Sequence, residues 1–221
     1  SMNTHHLPAH LILRAGAPAA AARAAVVLVH GRGGSAEDML GLAAELRLDD
    51  VAYLAPQAAG NTWYPQRFLA PLSANEPWLS SALARLGDVV TMLDGEGIPA
   101  ERVVLVGFSQ GACLAAEHAA RNAQRYGGLG LLSGGLIGPA GTPREYAGSF
   151  DGTPAFVGCS DADPHIPSWR VQETADVLAA MGAAVTTRIY PGMGHTVNAD
   201  EMAAVRAMVE AVRGLPRESV I

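Results

Sequence analysis

The sequence predicts an α/β domain, with a mostly parallel sheet of about seven strands and helices on both faces. Three observations carry this. Short apolar runs rich in Val, Leu and Ile alternate with longer amphipathic stretches along the chain. The runs lack polar alternation, as strands buried on both faces do. Finally, 221 residues, 49% of them hydrophobic and 16% charged, suffice for one well-buried core.

The strands are expected at Ala25–His30, Val51–Ala55, Val103–Phe108, Gly128–Ser133, Pro154–Cys159 and Val185–Tyr190, with a weaker one at His10–Arg14. Between them, Ser35 with Asp38 three residues on reads as a helix start, followed by an apolar stripe through Leu48. Further helices are expected at Pro77–Glu96, Gln110–Gln124, Ser168–Met181 and Asn198–Arg213. Gly182 and Gly214 stand where helix C-termini place glycine, and Pro216 blocks continuation. Residues 1–221 read as one domain, with 1–8 a flexible tail in which Ser1 before Met2 looks like a cloning remnant.

Several function classes are excluded by composition. The net charge is −6 and no basic cluster forms, so no nucleic-acid partner is expected. No apolar stretch reaches the roughly 18 residues of a membrane span, so no stable membrane insertion is expected. With no signal-peptide pattern visible, cytoplasmic is the default compartment. Cys113 and Cys159 read as buried small hydrophobes rather than a disulfide framework. His5, His6 and His10 read as a frayed terminus rather than a metal site.

The chemistry concentrates at strand ends. Gly107-Phe-Ser109-Gln-Gly111 is a G-x-S-x-G motif between an apolar strand and a helix. The turn there is so sharp that side chains two residues either side of the serine would clash, and glycine removes the clash. A serine hydroxyl needs a base to take its proton. His118 lies nine residues along the same helix, ~13 Å away, and cannot reach it. His195, in the glycine-bearing loop Tyr190-Pro-Gly-Met-Gly-His195 beyond the last strand, is the expected base. His165 is expected to be structural or to line the rim. A carboxylate between Ser109 and His195 in chain order should orient the imidazole. Asp161 and Asp163 both qualify by position, and Pro164 and Pro167, stiffening the loop beyond Asp163, favour the latter.

Ser109, Asp163 and His195 are 54 and 32 residues apart in sequence, each gap holding a helix and a strand, which puts all three on one sheet edge. The loop His30-Gly-Arg32-Gly-Gly-Ser35 leaves a strand and enters a helix. Its Arg32 backbone N–H, with that of Gln110, is the expected oxyanion hole. The same loop also meets a loose dinucleotide fingerprint, Gly31-x-Gly33-x-x-Ala36, but the next strand, ending at Pro56, lacks the required acid. An aromatic segment holds Trp63, Tyr64, Phe68 and Trp78. The segment either walls the site for an acyl chain or aromatic ester or packs its own loop onto the domain; Trp63 and Tyr64 are the candidates for substrate contact, beside an open, shallow site without a large lid.

From about His30 to His195 these residues resemble the phospholipase/carboxylesterase group of α/β-hydrolases, which includes acyl-protein thioesterases and small bacterial carboxylesterases. The motifs that carry the resemblance are His30-Gly-Arg-Gly-Gly, the Trp63-Tyr64 loop, Gly107-Phe-Ser-Gln-Gly-Ala112, Asp163-Pro-His-Ile-Pro167 and Gly194-His195. It implies the α/β-hydrolase fold and a serine carboxylesterase with Ser109 as nucleophile, Asp163 as triad acid and His195 as base. It also implies the Arg32 and Gln110 amides as oxyanion hole. Acyl thioesterase and lysophospholipase chemistry would use the same groups, whereas a non-catalytic binding protein on this fold should lack a triad member. No metal or organic cofactor is expected. The expected partners are a small-molecule ester and at most a second copy of the chain. Two departures stand out: Cys159-Ser160 where the group often has His-Gly, and Trp63-Tyr64-Pro65 where it often has Trp-Phe-Asp. The first is expected to leave the chemistry untouched; because of the second, protein depalmitoylation is not inferred.

Overall fold

The computed structural model describes residues 11–216. The tail at 1–8 and the start of the weak first strand at His10 lie outside the described residues.

The strands are β1 (Ile12–Gly16), β2 (Ala24–Val29), β3 (Val51–Pro56), β4 (Val103–Phe108), β5 (Gly128–Leu132), β6 (Pro154–Ser160) and β7 (Ala184–Tyr190). They form one sheet in the order β1-β3-β2-β4-β5-β6-β7. Only β1 runs antiparallel, on β3. Helices α1 (Ala36–Leu46), α2 (Trp78–Gly95), α3 (Gln110–Arg121), α4 (Ser168–Ala180) and α5 (Ala199–Arg213) connect or follow them. Two apolar layers result. Val27, Leu54 and Leu105 face Leu86, Leu114 and Leu178 on the α2–α3–α4 side. Val26, Tyr53 and Val104 face Met39, Val205 and Val209 on the α1–α5 side. This is the α/β-hydrolase architecture.

The edge strands differ from the expectation of burial on both faces. β1 is half-buried to exposed, and along β7 Val185 and Thr187 are half-buried between exposed Ala184, Thr186 and Arg188. An edge strand has a neighbour on one side only, and β7 adopts the alternation of a strand with one wet face.

Strand order reverses between β2 and β4, which lie side by side although β3 separates them in sequence. The crevice beyond their carboxyl ends is where ligands bind in open parallel sheets. Val29 pairs with Gly107, so the loop at Gly31 and the turn at Ser109 emerge side by side. Helix α3 is buried from Gln110 through Ala120. Its small residues Gly111, Ala112, Ala115 and Ala119 let it lie close against the sheet. His118 is buried within it, and burial pulls its pKa down to about 4.

Helix α5 starts just past His195 and is locked by a capping box. Asn198 accepts from the Glu201 amide, and Glu201 accepts from the Asn198 amide. Glu201 is fully buried, and its Oε2 has no hydrogen-bond partner. Burial raises its pKa from 4.5 to about 7. The folded chain therefore keeps this proton between those values while the unfolded chain releases it. That stabilisation is complete below about 4.5 and is lost as the pH rises through about 7. Glu201→Gln keeps an acceptor for the Asn198 amide and removes the ionisation. Relative to the parent, its Tm should rise between pH 5 and pH 8 by the equivalent of ~2.5 kcal/mol, about 5–10 °C for a chain this size. A difference between the two proteins that does not vary with pH in thermal melts would contradict the assignment.

Candidate active site

The sharp turn after β4 sets the geometry. Ser109 sits at φ 57°, ψ −121°, a strained backbone for a residue with a side chain. Its N–H is tied to the Leu132 carbonyl at 2.9 Å. The flanking glycines are obligatory on steric grounds. A Cβ on Gly107 would stand 2.3 Å from the Gly111 carbonyl oxygen, and one on Gly111 would stand 2.0 Å from that of Val29.

Three loops bring the acid–base groups together. His195 Nε2 lies 2.8 Å from Ser109 Oγ, and His195 Nδ1 lies 2.6 Å from Asp163 Oδ2. Asp163 is fully buried at its side chain while His195 is 23% exposed, so the carboxylate is dry and the ring reaches the cleft. The other carboxylate oxygen, Oδ1, accepts from the His165 and Ile166 amides at 2.8 and 3.1 Å. Those bonds lock the carboxylate plane. Asp161 acts elsewhere. Its Oδ1 accepts from the Gly192 amide at 2.7 Å, shaping the loop that carries His195.

Two backbone N–H groups near Ser109 are left without a carbonyl partner among the described residues. Gln110 opens α3, so its N–H has no carbonyl one turn back. The Arg32 N–H has no acceptor among the described residues. The neighbouring Gly33 and Gly34 amides are engaged, to Asn61 and Gly31 carbonyls at 2.7 and 3.1 Å. The loop is thereby folded with Arg32 left over.

A cleft of about 240 Å³ opens over Ser109. Beyond Ser109, Gln110 and His195, it is lined by Arg32, Tyr64, Arg67, Phe68, Cys113, His165 and Ile166.

The profile of phospholipases/carboxylesterases matches residues 12–213. The chain belongs to the phospholipase/carboxylesterase family. It is 27% identical over 208 residues to acyl-protein thioesterase 1 of Neurospora crassa, a match spanning 82% of this chain and 84% of that one. Among solved structures, a phospholipase/carboxylesterase from Dyadobacter fermentans superposes with a TM-score of 0.87. It is 45% identical, and the match covers 92% of this chain and 99% of that one. Esterase PE8 superposes at 0.75 with 25% identity, covering 92% and 98%. Family membership makes the chain a hydrolase acting on carboxylic esters.

One expectation needs correcting. Trp63 does not line the cleft. It is 5% exposed, its indole N–H donates to the His30 carbonyl at 2.8 Å, and its ring packs on the His30 ring at 5.0 Å. An indole with its one donor satisfied by a strand-end carbonyl is a core residue, while Tyr64 beside it does line the cleft. Ser160, at one of the two departures from the family pattern, is tied to the loop that carries His195: its Oγ accepts from the Gly194 amide at 2.8 Å, one residue before His195.

The residues that brace this esterase site are the least visible in sequence. Residue type gives the Gln110 side chain no evident role, yet it clamps the aromatic segment. It accepts from the Trp63 amide at 2.9 Å and donates to the Tyr64 carbonyl at 3.0 Å. His30 bridges two loops. Its Nε2 accepts from the Ala58 amide at 3.0 Å and its Nδ1 meets the Gly31 carbonyl at 2.7 Å, with burial keeping its pKa low and the ring neutral. His165 sits edge-on to His195 at 5.0 Å, at the rim.

Proposed function

We propose that the chain is a serine carboxylesterase working through an acyl-enzyme on Ser109. The observation that carries this is the continuous line from Asp163 Oδ2 through the His195 ring to Ser109 Oγ, with contacts of 2.6 and 2.8 Å. In the first half-reaction Oγ bonds to the ester carbonyl carbon, and its proton passes to His195 Nε2. The Asp163 carboxylate holds Nδ1–H and stabilises the imidazolium. Negative charge on the carbonyl oxygen is met by the Arg32 and Gln110 amides. The C–O bond to the alcohol then breaks, and the departing oxygen takes the proton from Nε2. Water repeats the sequence and releases the acid.

The cleft, at about 240 Å³, is smaller than the roughly 300–1,000 Å³ of drug-sized sites and favours short acyl groups. Similarity to an acyl-protein thioesterase supports including thioesters in any substrate panel, since their tetrahedral intermediate makes the same demands. The deciding experiment is labelling with a fluorophosphonate probe followed by peptide mass mapping. Stoichiometric modification of Ser109 is expected. A probe that leaves Ser109 unmodified, or marks another residue, rules the mechanism out.

A further inference from the structure

The cleft has an electrostatic character opposite to that of the chain. The protein carries a net charge of −6, yet the cleft lining holds two arginines and two histidines and no carboxylate. Asp163, the acid in contact with His195, stands behind that ring and is held by two backbone amides.

The two arginines are built differently. Arg32 is a fixed charge. Its guanidinium donates to Thr62 Oγ1 and the Pro65 carbonyl, each at 3.0 Å, and to the Gln66 carbonyl at 2.8 Å. It also lies 5.9 Å from the Tyr64 ring centroid. All these partners are uncharged, so they hold the guanidinium in place without neutralising it. Arg67 is exposed, and its side chain makes no hydrogen bond or ion pair among the described residues. A free guanidinium and a fixed one, both lining one small cleft, make a receptor for a planar anion.

From this arrangement we propose that the preferred substrates are short esters whose acyl half carries a carboxylate, recognised by Arg67 with Arg32 behind it. This rests on the serine-esterase reading above and adds the substrate class. The placement on the acyl half follows from the sheet. His195 reaches Ser109 from the β7 side and must protonate the leaving oxygen. Arg32 and Arg67 come from the loops after β2 and β3, on the opposite side of β4. The leaving alcohol therefore points away from the arginines and the acyl chain towards them.

Three esters of matched size separate the possibilities in a pH-stat assay: ethyl hydrogen glutarate, ethyl pentanoate, and the butanoate ester of glycolic acid, whose carboxylate is on the alcohol half. The glutarate ester should have a kcat/KM at least about tenfold above the pentanoate, chiefly through KM, as one charge-assisted hydrogen bond supplies. Arg67→Gln should lower that ratio at least about fivefold, and Arg67→Lys should restore part of it. Added salt should lower it in the parent. Equal turnover of the charged and neutral esters, a preference for the glycolate ester, or a ratio indifferent to Arg67→Gln would each overturn the assignment. If Ser109 takes the fluorophosphonate label in the same preparation, such a result removes only the substrate class. An unlabelled Ser109 removes the esterase mechanism and this assignment together.

Discussion

Ser109→Ala should lower kcat for ester hydrolysis by roughly 10⁴- to 10⁶-fold while leaving the fold intact. The loss is large because without Oγ no acyl-enzyme can form, however well His195 and the oxyanion amides are placed. What remains is the modest help those amides give to direct attack by water. Stability should change little, within about 0.5 kcal/mol. The Oγ atom has His195 Nε2 as its side-chain contact, at 2.8 Å in a half-buried position, and water can replace it. The strained φ of 57° is imposed by the turn and applies to alanine as much as to serine. Matching thermal melts alongside single-turnover rates make the test. A variant retaining a few per cent of parental activity would place the nucleophile elsewhere.

That the serine is legible in the sequence follows from local physics. Gly107 is required by the Gly111 carbonyl inside the motif and Gly111 by the Val29 carbonyl on the adjacent strand end, and the two glycines bracket the serine within a five-residue window. Core strands are readable for a similar reason: Val103–Phe108 is covered on both faces, and continuous burial leaves a continuous apolar run. Strand β7 lies at the edge, where packing depends on which helix covers which face, and its half-exposed pattern does not show in the residues themselves. The site divides the same way. Ser109, Asp163 and His195 follow from chemical identity and chain order. The bracing contacts of Gln110, His30 and Ser160 join loops that are distant in sequence. Gln110 reaches across 47 residues to Trp63, and Ser160 across 34 to Gly194. Nothing in residue type announces such a bond. Trp63 shows the converse error: an aromatic in a loop looks like a ligand contact until its N–H is found on a strand-end carbonyl.

Asp163→Asn should reduce kcat by about 10⁴-fold, and Asp161→Asn by much less, although both acids lie in one short loop. The contrast comes from what each carboxylate oxygen accepts. At position 163, Oδ1 accepts from the His165 and Ile166 amides, and an asparagine would turn its carbonyl oxygen to those two donors. Its NH₂ must then face Nδ1 of His195, now 2.6 Å from Oδ2. A donor there forces Nδ1 to be the acceptor and moves the ring proton to Nε2. Nε2 would then present N–H to Ser109 Oγ and could not take its proton. The geometry survives and the tautomer is wrong. At position 161, Oδ1 accepts a single bond from the Gly192 amide, which an asparagine carbonyl can accept as well. The loop carrying His195 keeps its shape through that bond and through Ser160. Steady-state kinetics on the two variants, with fluorophosphonate labelling rates as a second readout, give the comparison. Equal losses at both positions, or a greater loss at 161, would mean that the imidazole takes its orientation from a different carboxylate in solution.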